Sequence, residues 1–438
     1  MAGQRVPEAA GRGVAVTGNL RADGFPEQEI RARAREGAAR AFPPGESYGT
    51  SLWGASPETG NRAADPIDRL RLVPPVFMPR RLERLIELGR EPLYSDVVLD
   101  SRVGGFRSPL PVYLSAIGST QVASADLGVA LSRQAGALGL PMVIGENIVP
   151  AIGFGRLGDE TGRAMTSRIR AYLAELPDDV GGVVVQQSTE DADAEVWNLV
   201  YSDPEVQPLL DSGRLAFELK VGQGAKPGLG GMTVLDDATA SSLADRFALD
   251  PALGVGLTLR SASPGTFTEE ILRQQIRLMR NNFPRARVWV KLPPGRDVAE
   301  AAALAWEAGA DAVTIDGAEG GTGWAPNAFL TDVGLPLGEC LARIDRPAGD
   351  LLASGRMGDG ARAVKTLALG ATAVGLGRAA FLAVDEDPAD GLVRLVECLA
   401  LEMKLLISAL GKYEPAVLGR EDLWWQGAEL GHEIPAPS

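Results

Sequence analysis

The sequence predicts an α/β protein built as a (β/α)8 TIM barrel, with an N-terminal extension and a C-terminal helix and tail. Its 438 residues suit one large barrel with flanking segments. From about residue 111, short apolar segments alternate with helical stretches, a pattern typical of a parallel sheet covered on both faces. Eight or nine such repeats favour a closed barrel over an open sheet.

Three regions follow from the composition along the chain. We expect residues 1–105 to form an extension wrapped on the barrel, since they are rich in Gly, Pro and charge and end in a predicted helix, Pro79–Leu88. Residues 106–385 form the predicted barrel, and residues 386–438 a terminal helix and tail. Trp424 and Trp425 are expected to hold the tail against the body of the protein or against another subunit.

Composition excludes several classes of function. A net charge of −14 argues against nucleic-acid and anionic-membrane partners. Cys340 and Cys398 are too few to hold an iron–sulfur cluster, and His432 is the only histidine, so we expect neither a metal site nor a histidine base. Residues 1–20 have no apolar stretch typical of a signal peptide, and no membrane span is predicted, so we expect a cytoplasmic protein.

Nine segments have the length and apolar character of barrel strands, one more than a barrel needs. We expect Val183–Gln187 to be the extra segment. The nine are Val112–Ala116, Met142–Glu146, Val183–Gln187, Phe217–Val221, Val255–Leu259, Val288–Leu292, Ala312–Asp316, Leu351–Ser354 and Thr372–Leu376.

Helix signals lie between these segments. Asp297 and Glu300 have the spacing of a capping box, and their helix is expected to stop at Gly309. Thr268 opens a helix whose Leu272, Ile276 and Met279 fall on one face. Residues 361–369 form a helix that stops at Gly370.

The stretch Leu215–Gly231 is the strongest candidate for a site. It reads as an apolar strand followed by a Gly- and Pro-rich loop that carries Lys220, Gln223 and Lys226. Such a loop brings backbone N–H groups and cations to an anionic ligand. The alternative is that both lysines are ordinary solvated loop residues.

Other strand ends carry unusual residues, and the carboxyl ends of strands are where a barrel places its active site. Ser115–Gly118 ends the first strand, Glu146 follows the second, Lys291 ends a later one, and Asp316–Gly323 is a loop with little side-chain volume. We expect Lys291 to serve a ligand. The less favoured alternative is a lysine that is salt-bridged or that snorkels to solvent, since buried lysines are rarely unpaired.

Two Gly-rich turns end the last two predicted strands. Gly355 lies in the first turn, and Gly375 and Gly377 lie in the second, each before a predicted helix. Backbone N–H groups and helix N-termini at these two strands form the usual phosphate site of such barrels. Two features together describe an FMN barrel. One is a phosphate bound at these turns, and the other is a lysine near the flavin N1–O2 edge, where its charge would stabilise the anionic reduced ring. Each turn alone could simply be a tight β/α connection.

The motifs together resemble the FMN-binding synthase domain of glutamate synthases. KVGQGAKPGLGG, VWVKL, DGAEGGTGWAP, ASGRMGDG and GATAVGLGRAAF are similar to that family's KVAQGAKPGEGG, SVKL, SGHDGGTGASP, VDGGLKTG and GAEEFGFGTAAL. The resemblance covers roughly residues 111–381.

The resemblance implies an FMN-dependent oxidoreductase that exchanges a hydride with the alpha carbon of an amino or imino acid. It implies a 2-oxo or imino acid substrate near the candidate catalytic residues Lys220, Gln223, Lys226 and Glu146. The expected cofactor-binding residues are Ala116, Ile117, Gly118, Lys291, Gly321, Thr322, Gly355, Arg356, Gly375 and Gly377.

The chain departs from that family at three points. The cluster cysteines expected after the last strand are missing, residues 1–110 contain no cysteine nucleophile for a glutaminase, and Arg260–Glu270 replaces the family's SPPPHHD segment. We therefore expect an amidotransferase or electron-transfer partner protein. We also expect the chain to form a homo-oligomer. A redox-neutral reaction like that of N-methylglutamate synthases is one variant. The alternatives are an FMN-dependent 2-hydroxy-acid or amino-acid oxidase and a non-catalytic FMN-barrel subunit.

Overall fold

The computed structural model describes most of the chain, and the structural statements that follow concern the described residues. These are residues 20–41, 65–117, 125–145, 160–188, 196–236, 240–241, 248–250, 257–261, 263–322, 325–326, 329 and 332–425.

Eight parallel strands close into a barrel in the order β11-β12-β13-β14-β4-β5-β6-β7. The fold class predicted from the sequence is therefore confirmed. The barrel strands are β4 (Val112–Ile117), β5 (Met142–Ile144), β6 (Val183–Gln187), β7 (Leu215–Lys220), β11 (Arg287–Leu292), β12 (Ala312–Asp316), β13 (Asp350–Ser354) and β14 (Ala373–Leu376). The remaining strands are β1 (Arg71–Leu72), β2 (Ser101–Val103), β3 (Phe106–Ser108), β8 (Met232–Asp236), β9 (Ala248–Asp250), β10 (Leu257–Ser261) and β15 (Leu423–Trp424).

The choice of the extra strand was wrong. Val183–Gln187 is a barrel strand between β5 and β7. Of the candidate at 255–259, the described residues 257–259 belong to β10, the centre of a three-stranded antiparallel sheet with β8 and β9. Two glutamines make β6 look like a poor core strand. In the barrel, however, Gln186 is buried and donates a hydrogen bond to Glu218, which offsets the cost of burying its amide.

Helices connect the strands and cover the barrel. They are α1 (Glu27–Glu36), α2 (Pro66–Arg69), α3 (Pro79–Leu88), α4 (Ala125–Ala137), α5 (Glu160–Glu175), α6 (Val196–Ser202), α7 (Gln207–Asp211), α8 (Glu269–Asn282), α9 (Val298–Glu307), α10 (Leu337–Arg343), α11 (Gly360–Ala368), α12 (Arg378–Glu386) and α13 (Gly391–Ala409). Within these ranges no helix is both long and apolar enough to cross a lipid bilayer.

Local helix signals were mostly informative. Thr268 caps α8 by accepting a hydrogen bond from the Ile271 amide at 3.2 Å, and Leu272, Ile276 and Met279 are buried as predicted. The capping box at Asp297 was wrong, because α9 begins after Asp297 without a hydrogen bond from the helix to its side chain.

An apolar plug closes the amino end of the barrel. The β2–β3 hairpin places Phe106 against Trp289, with ring centroids 5.7 Å apart, and Tyr113 meets the same indole edge-on. Trp289 donates its indole N–H to the Gly104 carbonyl at 3.0 Å. Aromatic and aliphatic side chains therefore fill the amino end of the lumen.

The terminal regions pack on one side of the barrel. Helix α1 lies against α12 and α13, and Arg31 forms an ion pair with Asp385 at 2.8 Å. Strand β15 pairs antiparallel with β1, so the tail around Trp424 is held on the body of the protein, one of the two placements predicted.

Candidate functional site

A buried ion pair lies at the carboxyl end of the barrel. Lys291 Nζ is 2.8 Å from Asp316 Oδ2, and the two side chains are only 6% and 8% exposed. Asp316 also accepts hydrogen bonds from the Ser354 hydroxyl and from the Gly224 amide. Three consecutive barrel strands and the loop after β7 thus converge on one carboxylate. Of the two alternatives for Lys291, the salt-bridged one describes its environment.

A second carboxyl group forms the floor beneath this pair. Glu218 on β7 is fully enclosed, accepting from the Thr314 hydroxyl at 2.8 Å and from the Gln186 amide at 2.5 Å. Burial raises the pKa of Glu218, and the nearby charge of Lys291 only partly opposes that shift. The lumen below the candidate site is therefore polar but hydrogen-bonded.

The loop after β7 is tied to the next strands by its own side chains. Lys220 Nζ donates to Gln223 Oε1 at 2.7 Å, and Gln223 Nε2 lies 3.3 Å from Thr322 Oγ1. A Cβ on Gly224 would lie 2.1 Å from the Gly317 carbonyl oxygen, so only glycine permits this approach. The structure therefore brings predicted substrate residues next to Thr322, a predicted cofactor residue.

Lys226 is buried on this loop, with 5% of its surface exposed. The alternative in which it is a solvated loop lysine is therefore wrong. Burying an ammonium group is costly unless it is matched by charge or hydrogen bonds, which is why buried lysines are uncommon unless they are paired.

The two Gly-rich turns lie side by side, after the adjacent strands β13 and β14. Gly355 adopts a φ of +147° and Arg356 a left-handed φ of +53°. A non-glycine residue in that conformation is strained, and such residues cluster at ligand sites. The Arg356 guanidinium is paired with Asp68 of the N-terminal region. Gly377 immediately precedes α12 and therefore lies at the positive end of its dipole.

Arg378 is a residue that the sequence reasoning missed. It begins α12, and its guanidinium donates to the Glu319 carbonyl at 2.6 Å and lies 4.6 Å from the centre of the Phe25 ring. Burial lowers the pKa of Arg378 to about 10, and the charge of Arg356 adds to that shift. An anion beside the buried Arg378 guanidinium would stabilise its charged form. The motif AVGLGR contains this arginine, so its position after the second Gly turn was the available signal.

Behind these turns, Arg362 is surrounded by carboxylates. It contacts Asp65 and Asp68, lies 2.8 Å from Glu319 Oε1, and donates to the Gly355 carbonyl at 3.0 Å. Burial raises the pKa of Glu319 to about 8; the charge of Asp65 adds to the shift and Arg362 opposes it. This cluster joins the N-terminal region to the first Gly turn.

The first barrel strand, β4, carries two buried hydroxyl groups, Tyr113 Oη and Ser115 Oγ. Ser115 Oγ and Tyr113 Oη are buried and make no hydrogen bond of ordinary geometry within the described part of the chain. A Cβ on Gly375 would lie 2.2 Å from Ser115 Oγ and 2.7 Å from Tyr113 Oη. Gly375 therefore has a packing reason to be glycine, and its predicted contact with the cofactor stays a prediction.

The remaining predicted residues are less informative. Ala116 is half-buried at the end of β4, where Ile117 is the last residue; Gly321 is exposed beside Arg378, with a would-be Cβ 3.0 Å from Arg378 Cγ. Gly118 and Glu146 lie outside the described residues. Among the described residues no cluster of three or more His, Cys, Asp and Glu could hold a metal ion.

The fold and the site define a class: a parallel (β/α)8 barrel whose carboxyl end combines a buried lysine, a lysine-bearing loop and two adjacent Gly-rich turns with arginines. Residues 143–386, more than half of the chain, match the family model for the conserved region in glutamate synthase. The chain belongs to this family.

Curated relatives agree with that assignment. The archaeal-type glutamate synthase [NADPH] of Dehalococcoides mccartyi is 34% identical over 186 residues, covering 40% of this chain and 36% of the relative. The glutamate synthase large subunit-like protein of Rhizobium meliloti is 35% identical over 185 residues, 40% of each chain. The matched region thus spans about two fifths or less of the length of these relatives.

Solved structures share the fold. A soluble mutant of the membrane-associated (S)-mandelate dehydrogenase from Pseudomonas putida has a TM-score of 0.52 and 19% identity, covering 92% of this chain and 99% of that one. A flavocytochrome b2 variant with pyruvate bound has a TM-score of 0.52 and 17% identity over 85% of this chain and 80% of that one. At 17–19% identity this similarity is evidence for a shared fold and for nothing more.

Proposed function

We propose that the protein is an FMN-dependent oxidoreductase that acts on the carbon–nitrogen centre of an amino or imino acid. The observation that carries this proposal is the meeting of Lys291, the loop after β7 and the two Gly-rich turns at one end of the barrel. Membership of the glutamate synthase family supports the same chemistry.

The residues present fit FMN. Arg356 and Arg378, together with the backbone at Gly355 and Gly377, would hold its phosphate, because the buried Arg378 guanidinium gains from an anion beside it. The Ser115 hydroxyl is buried and has no hydrogen bond of ordinary geometry among the described residues, which suits a polar ligand at the end of β4. Lys291 would place its ammonium group beside the ring. FMN, when bound, would supply the hydride acceptor or donor for the reaction.

The chain's other residues would bind and orient the substrate. Lys226, a buried cation on the loop after β7, would bind the substrate carboxylate. Lys220 and Gln223, already linked at 2.7 Å, would hold the polar groups next to it. Asp316 pairs with Lys291 at 2.8 Å and fixes the direction of its side chain.

We also infer that electrons or nitrogen reach this site from a partner protein. Two cysteines cannot assemble an iron–sulfur cluster. An amidotransferase or an electron-transfer protein would supply what the barrel does not.

Two measurements on the purified full chain test the proposal. FMN added in stoichiometric amount should bind and give a visible flavin spectrum. Under anaerobic conditions this spectrum should bleach with one member of a panel of amino acids and stay unchanged with 2-hydroxy acids. Bleaching by hydroxy acids alone would identify a hydroxy-acid oxidase, and a yellow protein that no panel member bleaches would favour a non-catalytic subunit.

A variant pair tests the phosphate site in the same titration. Arg378→Met should raise the Kd for FMN roughly ten- to a hundredfold, since a charge-assisted hydrogen bond contributes about 1.5–3 kcal/mol. Arg285→Met, at an exposed position before β11, is the matched control and should leave the Kd unchanged. Equal Kd values for both variants would remove Arg378 from the site.

A further inference from the structure

Helix α3 carries apolar side chains that the rest of the described chain does not cover. None of its ten residues is buried, and Leu82 and Ile86 are 57% and 70% exposed. A helix of this length is marginal in water and normally depends on packing of its apolar face. The exposed face of α3 therefore lacks the contacts that usually stabilise such a helix.

The exposure extends along the segment that contains α3. Eight of the eleven large hydrophobic residues exposed in the described structure lie between residues 73 and 98, and Val76 and Phe77 are the most exposed, at 90% and 87%. We call residues 73–98 the α3 patch. Apolar surface concentrated in this way marks an interaction site more often than a solvated surface.

The α3 patch is anchored from behind, so its apolar side chains are held outward. Met78 packs against Gly411, where a Cβ would lie 3.0 Å from its side chain, and Arg81 donates to the Tyr413 hydroxyl at 3.2 Å. The Val73 amide donates to the Asp422 carbonyl at 2.8 Å, which brings the half-exposed Trp424 of β15 next to the patch. The terminal region thus supports the patch without covering it.

Charge indicates what the patch binds. Residues 73–98 contain four arginines and four acidic residues, a net charge of zero, whereas the whole chain carries −14. A partner attracted by charge would require an excess of one sign. Two copies of an acidic chain repel each other least where their surfaces are neutral. On α3 the two signs are interspersed, as in Arg80, Glu83, Arg84 and Glu87, which suits a surface that pairs with itself.

We propose that the α3 patch is the interface between two copies of this chain, related by a two-fold axis. In such an interface the same surface contributes from both copies, so each exposed apolar side chain contributes twice. The ion pairs Arg81–Glu91, Arg84–Glu87 and Arg90–Asp96 within each copy match most of the charges of the patch before the two surfaces meet. The proposal goes beyond the proposed reaction and does not depend on it, since the patch contains none of the predicted cofactor or substrate residues.

The test compares molar masses by light scattering after size-exclusion chromatography. The wild-type chain should elute with twice its 46.0 kDa mass or an even multiple of it. Ile86→Asp should shift the mass to that of a single chain or of a smaller assembly, because each copy would bury a charge at the centre of the patch. Leu278→Asp is the matched control: Leu278 is 58% exposed near the end of α8, outside the patch, and its variant should keep the wild-type mass.

Circular dichroism and FMN content separate loss of the interface from loss of the fold. Phe77→Ser, outside any helix, is a second variant should Ile86→Asp unfold, and it should lower the mass in the same way. A wild-type chain that runs as a monomer at high concentration overturns the proposal. So does an oligomer that both patch variants leave intact, or a patch that binds only a different protein.

Discussion

Lys291 and Asp316 show what a single buried pair contributes at this site. A lysine with 6% of its side chain exposed is costly to bury as a charge unless it is paired. Asp316 offsets that cost at 2.8 Å, and Asp316 is itself held by Ser354 and Gly224. The ammonium group is therefore fixed before any ligand arrives, which reduces the cost of ordering it on binding.

Two lysine variants separate substrate binding from cofactor binding. Lys226→Met should remain yellow but lose roughly ten- to a hundredfold in kcat/KM with its carboxylate substrate, because a charge-assisted bond of about 1.5–3 kcal/mol is removed. Lys291→Met should mainly change the affinity for FMN or its reduction potential. Steady-state kinetics and FMN titration measure the two effects.

Lys404→Met on α13 is the matched control for these variants, since Lys404 lies on the terminal helix and not on a barrel strand or its loop. It should change neither quantity. If Lys226→Met keeps the wild-type kcat/KM, the substrate carboxylate does not bind where we place it.

At the scale of elements, the β2–β3 hairpin fixes the amino end of the barrel. Its turn contains Gly104 and Gly105, both with left-handed φ angles, of +58° and +88°. The tight turn lets the Gly104 carbonyl accept the indole N–H of Trp289, whose ring fills the lumen between Phe106 and Tyr113. Close packing at one end leaves the other end to carry polar groups.

Gly104→Ala tests this packing. The new Cβ would lie 2.0 Å from Trp289 Cζ2, so the indole or the hairpin must move, in addition to the cost of a left-handed alanine. We expect a loss of about 2–4 kcal/mol in the free energy of unfolding, combining about 1 kcal/mol for the backbone with 1–3 kcal/mol for overpacking.

Gly213→Ala is the control for the backbone contribution. Gly213 has a φ of +66° and nothing within 4 Å of its would-be Cβ, so only the conformational cost of about 1 kcal/mol should appear. Urea unfolding of both variants gives the comparison. Equal losses for the two would show that the hairpin accommodates the methyl group freely.

The sequence predicted where the strands and helices lie better than it predicted which strands form the barrel. Apolar runs located all eight barrel strands, and helix α3 was predicted with its observed bounds. Periodicity could not tell β6 from β10, since the glutamines of β6 are compensated by Glu218, a contact across the barrel that local patterns do not contain. Arg378 was missed for a similar reason: its relation to Arg356 arises only when β13 and β14 lie side by side.

At the scale of the molecule, the N-terminal region and the barrel share one charged cluster. Asp65 and Asp68 come from the segment around α2, whereas Arg362 and Glu319 come from α11 and the loop after β12. The same arginine binds the carbonyl of Gly355 in the first Gly turn. The position of residues 65–69 and the shape of the proposed phosphate site are therefore coupled through Arg362.

This coupling predicts how stability depends on pH. Burial, with the charge of Asp65, raises the pKa of Glu319 to about 8, so the folded protein holds a proton that the unfolded chain releases near pH 4.5. The stabilisation from that proton is complete below pH 4.5 and is lost as the pH rises through about 8, with a slope of at most about 1.4 kcal/mol per pH unit.

Glu319→Gln cannot ionise and should lack this loss. Its Tm relative to the wild-type protein should therefore rise steadily between pH 5 and pH 8, within the interval set by those two pKa values. Glu300→Gln, an exposed glutamate in the first turn of α9, should show no such trend. A constant difference in Tm between Glu319→Gln and the wild-type protein across that interval would show that Glu319 is ionised in the folded state and that Arg362 neutralises the whole cluster.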